Sequence, residues 1–224
     1  MPKNYKEIFG NININPYFKA AEEFLPKNKI KTLFIFESPP FEPPFHPISN
    51  KYNEKWSYFY NYKSNGSDSL RRIICETLFD KKMNSAERFL KDFSDQGYFL
   101  VDAVNYPIND IIPEWKHLIK VDRNNKVHPD ERVDIIYSES DDLVKTIDYW
   151  VKESKSNLPE IKMVVIKATV FKGLFTKKNK FKEKVDCGIF NVLNGFKIDY
   201  PLFYINTFKK VVRKLLDLNF DPKT

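Results

Sequence analysis

The chain has 224 residues, 42% of them hydrophobic and 30% charged, the balance of one globular domain rather than of a disordered chain. No apolar run approaches the roughly 20 residues that a membrane-spanning helix needs, and the polar first ten residues lack the apolar core of a signal peptide, so a cytoplasmic protein that avoids membranes is expected. Net charge is +7, which favours a polyanionic partner, most simply nucleic acid.

In chain order, Tyr17–Phe24 reads as a short helix after Pro16. Lys31–Phe36 is a compact β-branched and aromatic run, the pattern of a buried strand. Five prolines follow between Pro39 and Pro47, which excludes helix or central strand and makes a stiff loop. Ser67–Phe79 has helical spacing, with Ser67 or Asp68 as its cap. Ser85–Ser94 is a second helix of that kind, stopped by Gly97. Tyr98–Val101 is the next strand. Residues 105–134 are rich in proline and charge and read as a long loop, with a turn of helix around 114–118. Ser138–Glu153 is an amphipathic helix opened by Ser138 and Asp141 as a capping box. Met163–Ile166 is a third strand, followed by a short helix at Val170–Phe175 and a basic stretch at 177–184. Lys197–Tyr200 is a fourth strand. Thr207–Leu218 closes the chain as a helix, with Val211, Val212 and Leu215 inward and Lys209, Lys210, Arg213 and Lys214 outward.

Strands alternating with helices give an α/β fold: a three-layer α/β/α sandwich around a short, mainly parallel four-stranded sheet, in one domain expected to be a monomer. Ligands of such sheets bind beyond the carboxyl ends of the strands. The chemistry expected there is restricted. No GxGxxG, GxxxxGK[ST], HExxH or GxSxG motif occurs. The two cysteines, Cys75 and Cys187, lack CxxC spacing and cannot build a four-ligand site. His46, His117 and His128 are scattered. No metal and no cofactor are expected.

Four segments carry the functional signal. LFIFESPP (33–40) ends a buried strand on Glu37 and Ser38. SYFYNYKSNGSDSLRR (57–72) sets a cluster of rings before a helix start. GYFLVDAVNYPIN (97–109) ends a strand on Asp102, with Asn105 just beyond. IDYPLFYINTFKKVVRKLL (198–216) places a Tyr-Pro loop ahead of a basic helix. In this order they resemble the uracil-DNA glycosylase superfamily, in the branch that has ESPP after its first strand. The resemblance covers most of residues 30–218. The chain also departs from the best-studied members. Phe36 stands in place of a glycine, Ser38 in place of the Asp of the GQDP-type loop, and Tyr200, Pro201 and Leu202 in place of His-Pro-Ser. The four cluster-binding cysteines of the iron–sulfur branch are missing.

The resemblance implies a metal-independent DNA glycosylase that flips a base and hydrolyses its N-glycosidic bond. Glu37, with Ser38 beside it, would be the catalytic carboxylate, positioning water and facing the sugar cation; its alternative is a loop-bracing acid. Phe59 and Tyr60 would stack on the extruded base; their alternative is core packing. Asn61, Asp102 and Asn105 would hydrogen-bond the base. Asp102 aligns with the Asn that reads uracil. A carboxylate only accepts, so it would repel O4 of uracil and accept from a cytosine amine. A modified cytosine, such as those of bacteriophage DNA, is therefore expected over uracil, with antiviral defence as the setting. Lys177, Lys178, Lys180, Lys209 and Lys210, with Pro201 and Asn206, would meet the DNA backbone. Competing readings are a DNA-binding module of the same fold without catalysis, and an enzyme acting on free nucleosides or nucleotides.

Overall fold

A computed structural model describes residues 4–9, 14–39, 56–64, 68–108, 117–124 and 126–175, and beyond these residues 181, 189–191, 209, 212, 213 and 216. The elements are α1 (Tyr5–Phe9), α2 (Asn15–Glu23), β1 (Thr32–Phe36), α3 (Asp68–Phe79), α4 (Ala86–Asp95), β2 (Tyr98–Asp102), α5 (Pro129–Ser138), α6 (Ser140–Glu153), β3 (Lys162–Val165), α7 (Ala168–Phe175) and β4 (Ile189–Asn191).

The sheet is parallel, in the order β2-β1-β3-β4. β1 is central because it can be: Leu33, Phe34 and Ile35 are at most 1% exposed, and a strand covered on both faces reads as a continuous apolar run. Its register pairs Phe36 with Asp102 and Ile35 with Val165, so β1, β2 and β3 end together. Three strands run for four or five residues, so the body of the sheet has three strands rather than the expected four. The three-residue β4 adds to its edge at Ile189–Asn191. The expected strand at 197–200 lies outside the described residues, as do the proline loop after Pro39 and most of the expected turn at 114–118.

Rings fix the helices to the sheet. Phe93 of α4 meets Phe34 at 5.7 Å and Tyr98 at 5.6 Å, while Trp150 of α6 meets Phe99 at 5.3 Å. Burying each such ring contributes about 1.5–3 kcal/mol. Ser85, expected as the first residue of the helix, is the cap of α4, its side chain accepting from Arg88 N at 3.3 Å. The chain then turns through Gly97, whose φ is +80° and whose carbonyl accepts from Lys31 N at 2.8 Å. A Cβ there would stand 2.8 Å from the Lys29 carbonyl oxygen. Gly97→Ala is therefore expected to cost about 2 kcal/mol or more in urea unfolding, from the left-handed backbone and the clash together. Wild-type stability would contradict this.

Three expectations are corrected here. Residues 129–134 are not loop but part of α5. It opens with Pro129 in its first turn, acidic residues Asp130 and Glu131, and His128 as cap, accepting from Asp130 N at 3.3 Å. These are ordinary helix-start signals. Ser138 is not the cap of α6 either. It ends α5, with its hydroxyl donating to Ile135 O at 2.8 Å, and α6 begins at Ser140 without a side-chain cap. In the last helical stretch Val212 is buried as expected, but Arg213 is not outward: it is 9% exposed and donates to Thr77 O at 3.3 Å.

Candidate functional site at the carboxyl ends of the strands

Glu37 follows β1 directly, and its carbonyl accepts from Val104 N at 3.2 Å, tying it to the loop after β2. Its side chain has no exposed surface. Arg132 Nη1 of α5 donates to both carboxylate oxygens, at 2.9 and 3.2 Å. Lys167 Nζ donates at 2.7 Å, and the Thr169 hydroxyl donates to the other oxygen. Burial alone would raise the pKa of Glu37, but the charges of Lys167 and Arg132 override it and hold the group below the usual carboxylate range. Glu37 is thus ionised, and three donors make four hydrogen bonds to its roughly four acceptor positions. This corrects the expectation of a carboxylate that faces the sugar and positions water; the geometry is that of a bracing acid. Ser38 is buried beside it at 4% exposure and does not line the cavity described next.

Asp102 ends β2, opposite Phe36. It is 9% exposed, and among the described residues none hydrogen-bonds its side chain. Burial pushes its pKa up to about 8, against the opposing charge of Lys167 and helped by that of Glu37. At neutral pH it is mostly a neutral acid, with one hydroxyl donor and one carbonyl acceptor. Asp102 borders a cavity of about 20 Å³, together with Asn105, Thr146 and the rings of Tyr58 and Trp150. Asn105 Nδ2 donates to the Thr146 hydroxyl at 3.1 Å. Helix α2 contributes Tyr17, Phe18 and Ala21 to the lining. Such a volume accommodates a water molecule and not a nucleobase, so a base could enter only if the lining moved.

The structure therefore brings Glu37, Asp102 and Asn105 to one end of the sheet, as expected, but not the other base-binding residues. Phe59 is 4% exposed and packs on Phe93 at 5.6 Å; Tyr60 is 1% exposed, and its hydroxyl accepts from Leu100 N at 2.6 Å and donates to Leu100 O at 3.0 Å. Both are core, which corrects the stacking role. Asn61 donates to Trp56 O at 2.6 Å. The segment is wound around the fully buried Arg71, which donates to the carbonyls of Tyr58, Phe59, Asn61 and Ser64. The ring it offers to the cavity is Tyr58, stacked on Trp56 at 5.2 Å and edge-on to Tyr17 at 5.0 Å.

Of the expected backbone-binding residues, Lys177, Lys178, Lys180, Pro201, Asn206 and Lys210 lie outside the described residues. Lys209 is paired with Asp80. Sequence reasoning missed Arg132, Lys167, Thr169, Tyr17, Tyr58 and Thr146. For Lys167 a signal existed: it follows the apolar run 163–166 just as Glu37 follows its own strand. Among the described residues no helix is long and apolar enough to cross a membrane. Comparison with protein-family models, curated proteins and solved structures finds no match to this chain.

Proposed function

We propose that the chain is a DNA glycosylase of the uracil-DNA glycosylase superfamily, with the three-layer arrangement of that fold, which holds a flipped base against Asp102 and favours modified cytosine over uracil. The observation that carries this is a buried acid, unpartnered among the described residues, in a cavity at the carboxyl ends of parallel strands. A buried polar group without a partner costs about 1–3 kcal/mol, and a ligand edge would recover that cost.

The protonation state of Asp102 changes the argument for the base. A neutral acid both donates and accepts, as an amide does. It can give its proton to O4 of uracil and accept from N3–H, or accept from a cytosine amine and donate to N3. Only the ionised form repels O4. With the changeover at about pH 8, a cytosine-type edge keeps its amine contact in both forms, and a uracil-type edge is matched in one. Ordinary cytosine must be excluded elsewhere, and the Asn105–Thr146 pair on the cavity wall supplies polar groups for doing so.

Free base and abasic sites should be measured on oligonucleotides containing modified cytosine, uracil or ordinary cytosine, at pH 6 and pH 9. The expected result is release of modified cytosine at both values, release of uracil at pH 6 only, and none of ordinary cytosine. Absence of release from every substrate at both values would contradict the reading. One observation favours a second reading: the ionised carboxylate of this site, Glu37, is fully engaged by Arg132, Lys167 and Thr169, which suits a DNA-binding module without catalysis. Its signature is salt-dependent binding with the DNA left chemically intact.

A further inference from the structure

Three parallel strands bring one ionisable group each to the same end of the sheet. Glu37 follows β1, Asp102 closes β2, and Lys167 stands two residues beyond β3. We propose that Lys167 is a specificity-determining positioning residue: held in place by Glu37, its ammonium governs whether Asp102 meets a base as a hydroxyl-bearing acid or as a carboxylate. The proposal rests on the reading of the Asp102 cavity as a base pocket.

The geometry supports it from several sides. Lys167 Nζ lies 2.7 Å from Glu37 Oε2 and 4.8 Å from the centre of the Phe36 ring, and Phe36 is the register partner of Asp102. The ammonium is thereby held by a carboxylate on one side and a ring face on another. Arg132 and Thr169 bind the same carboxylate, which fixes Glu37 and, through it, Lys167. Glu37 has no exposed side-chain surface, whereas that of Lys167 is 19% exposed. Glu37 therefore serves as the anchor, and Lys167 carries the positive field.

Among the described residues, the charged or titratable groups that act on Asp102 can be named. Lys167 favours the carboxylate, whereas Glu37 and burial favour the acid. The hydroxyls of Tyr58 and Tyr60, whose own ionisation Asp102 opposes, stay neutral. Arg132 acts on Glu37. Lys167 is thus the described cation that opposes burial at Asp102. It keeps the changeover at about pH 8, above which the carboxylate form rejects a uracil-type edge. Without it Asp102 would remain an acid to higher pH, and the pocket would accept both edges over a wider range.

The test follows the Asp102 carboxyl by ¹³C NMR against pH in the wild type, Lys167→Met and Lys167→Arg, alongside release of uracil and modified cytosine. In Lys167→Met the midpoint should rise by about one pH unit or more, the size expected for loss of a nearby opposite charge. The alkaline limit for uracil should move by the same amount. Lys167→Arg, which keeps the charge, should stay near the wild type. An unmoved midpoint in folded Lys167→Met would overturn the proposal. If that variant does not fold, the double variant Glu37→Gln, Lys167→Met removes the ion pair as a unit. Its midpoint should still rise, by less, because the opposing charge of Glu37 goes too; an unmoved or lowered midpoint would overturn the proposal. A raised midpoint with no base released by any form supports the coupling and sinks the glycosylase reading instead.

Discussion

Asp102→Asn is expected to stabilise the protein at neutral pH. Asp102 titrates near 8 in the folded chain and near 3.9 when unfolded. Because the folded value is the higher one, its contribution to stability is fully present below pH 4 and is lost as pH rises toward 8. Over that window the unfolded chain releases a proton that the folded chain retains. Each pH unit costs about 1.4 kcal/mol, so at pH 7 the penalty is roughly 4 kcal/mol. Asparagine carries no such charge. Urea unfolding of wild type and variant should therefore diverge from near equality at pH 4 to their largest difference above pH 8. Groups that do not act on Asp102 titrate alike in both proteins and drop out of the difference. A variant less stable than wild type at pH 7 would mean that Asp102 supports the fold rather than a ligand. A residue that weakens the fold where it stands is what a binding pocket requires.

Glu37→Gln should have a large effect of opposite sign. Glu37 is the counter-charge of Arg132 and Lys167, whose side chains are only 21% and 19% exposed. Removing one member of a buried ion network leaves the others uncompensated, which costs about 3 kcal/mol or more. The variant should lose that stability in urea at pH 7. Because the folded pKa of Glu37 is depressed, its contribution is present above the ordinary carboxylate value and lost as pH falls. The wild-type advantage over the variant should thus shrink in acid. Unchanged stability with abolished base release would return Glu37 to the role of a catalytic carboxylate.

The strands were legible because they are buried on both faces: Leu33–Ile35, Phe99–Val101 and Met163–Val165 are continuous apolar runs with no other reading of comparable strength. The rule that sites gather at carboxyl ends then selected Glu37 and Asp102. What sequence could not supply is partnership over distance. Glu37 and Arg132 are 95 positions apart, and Glu37 and Lys167 are 130 apart, separations to which no local pattern is sensitive. The charge state of Asp102 follows from burial, so the sequence reading treated it as an ordinary carboxylate and drew too strong a rejection of uracil. In the run from Trp56 to Tyr62 five aromatic rings stand close together, and local order does not say which one borders a cavity. Tyr58 does so because Arg71 gathers the carbonyls of the following residues around itself. Helix α5 was missed because its charged residues Asp130, Glu131, Arg132 and Asp134 interrupt the apolar face of Val133, Ile135 and Ile136, all of which are buried.

The central claim is that the floor of the cavity is an uncharged carboxylic acid at neutral pH, poised to both donate and accept. The most direct measurement is the titration of the Asp102 carboxyl carbon by ¹³C NMR in the wild-type protein, assigned against Asp102→Asn. The account predicts a midpoint near 8; a midpoint near 4, the value of an ordinary solvated aspartate, would contradict it.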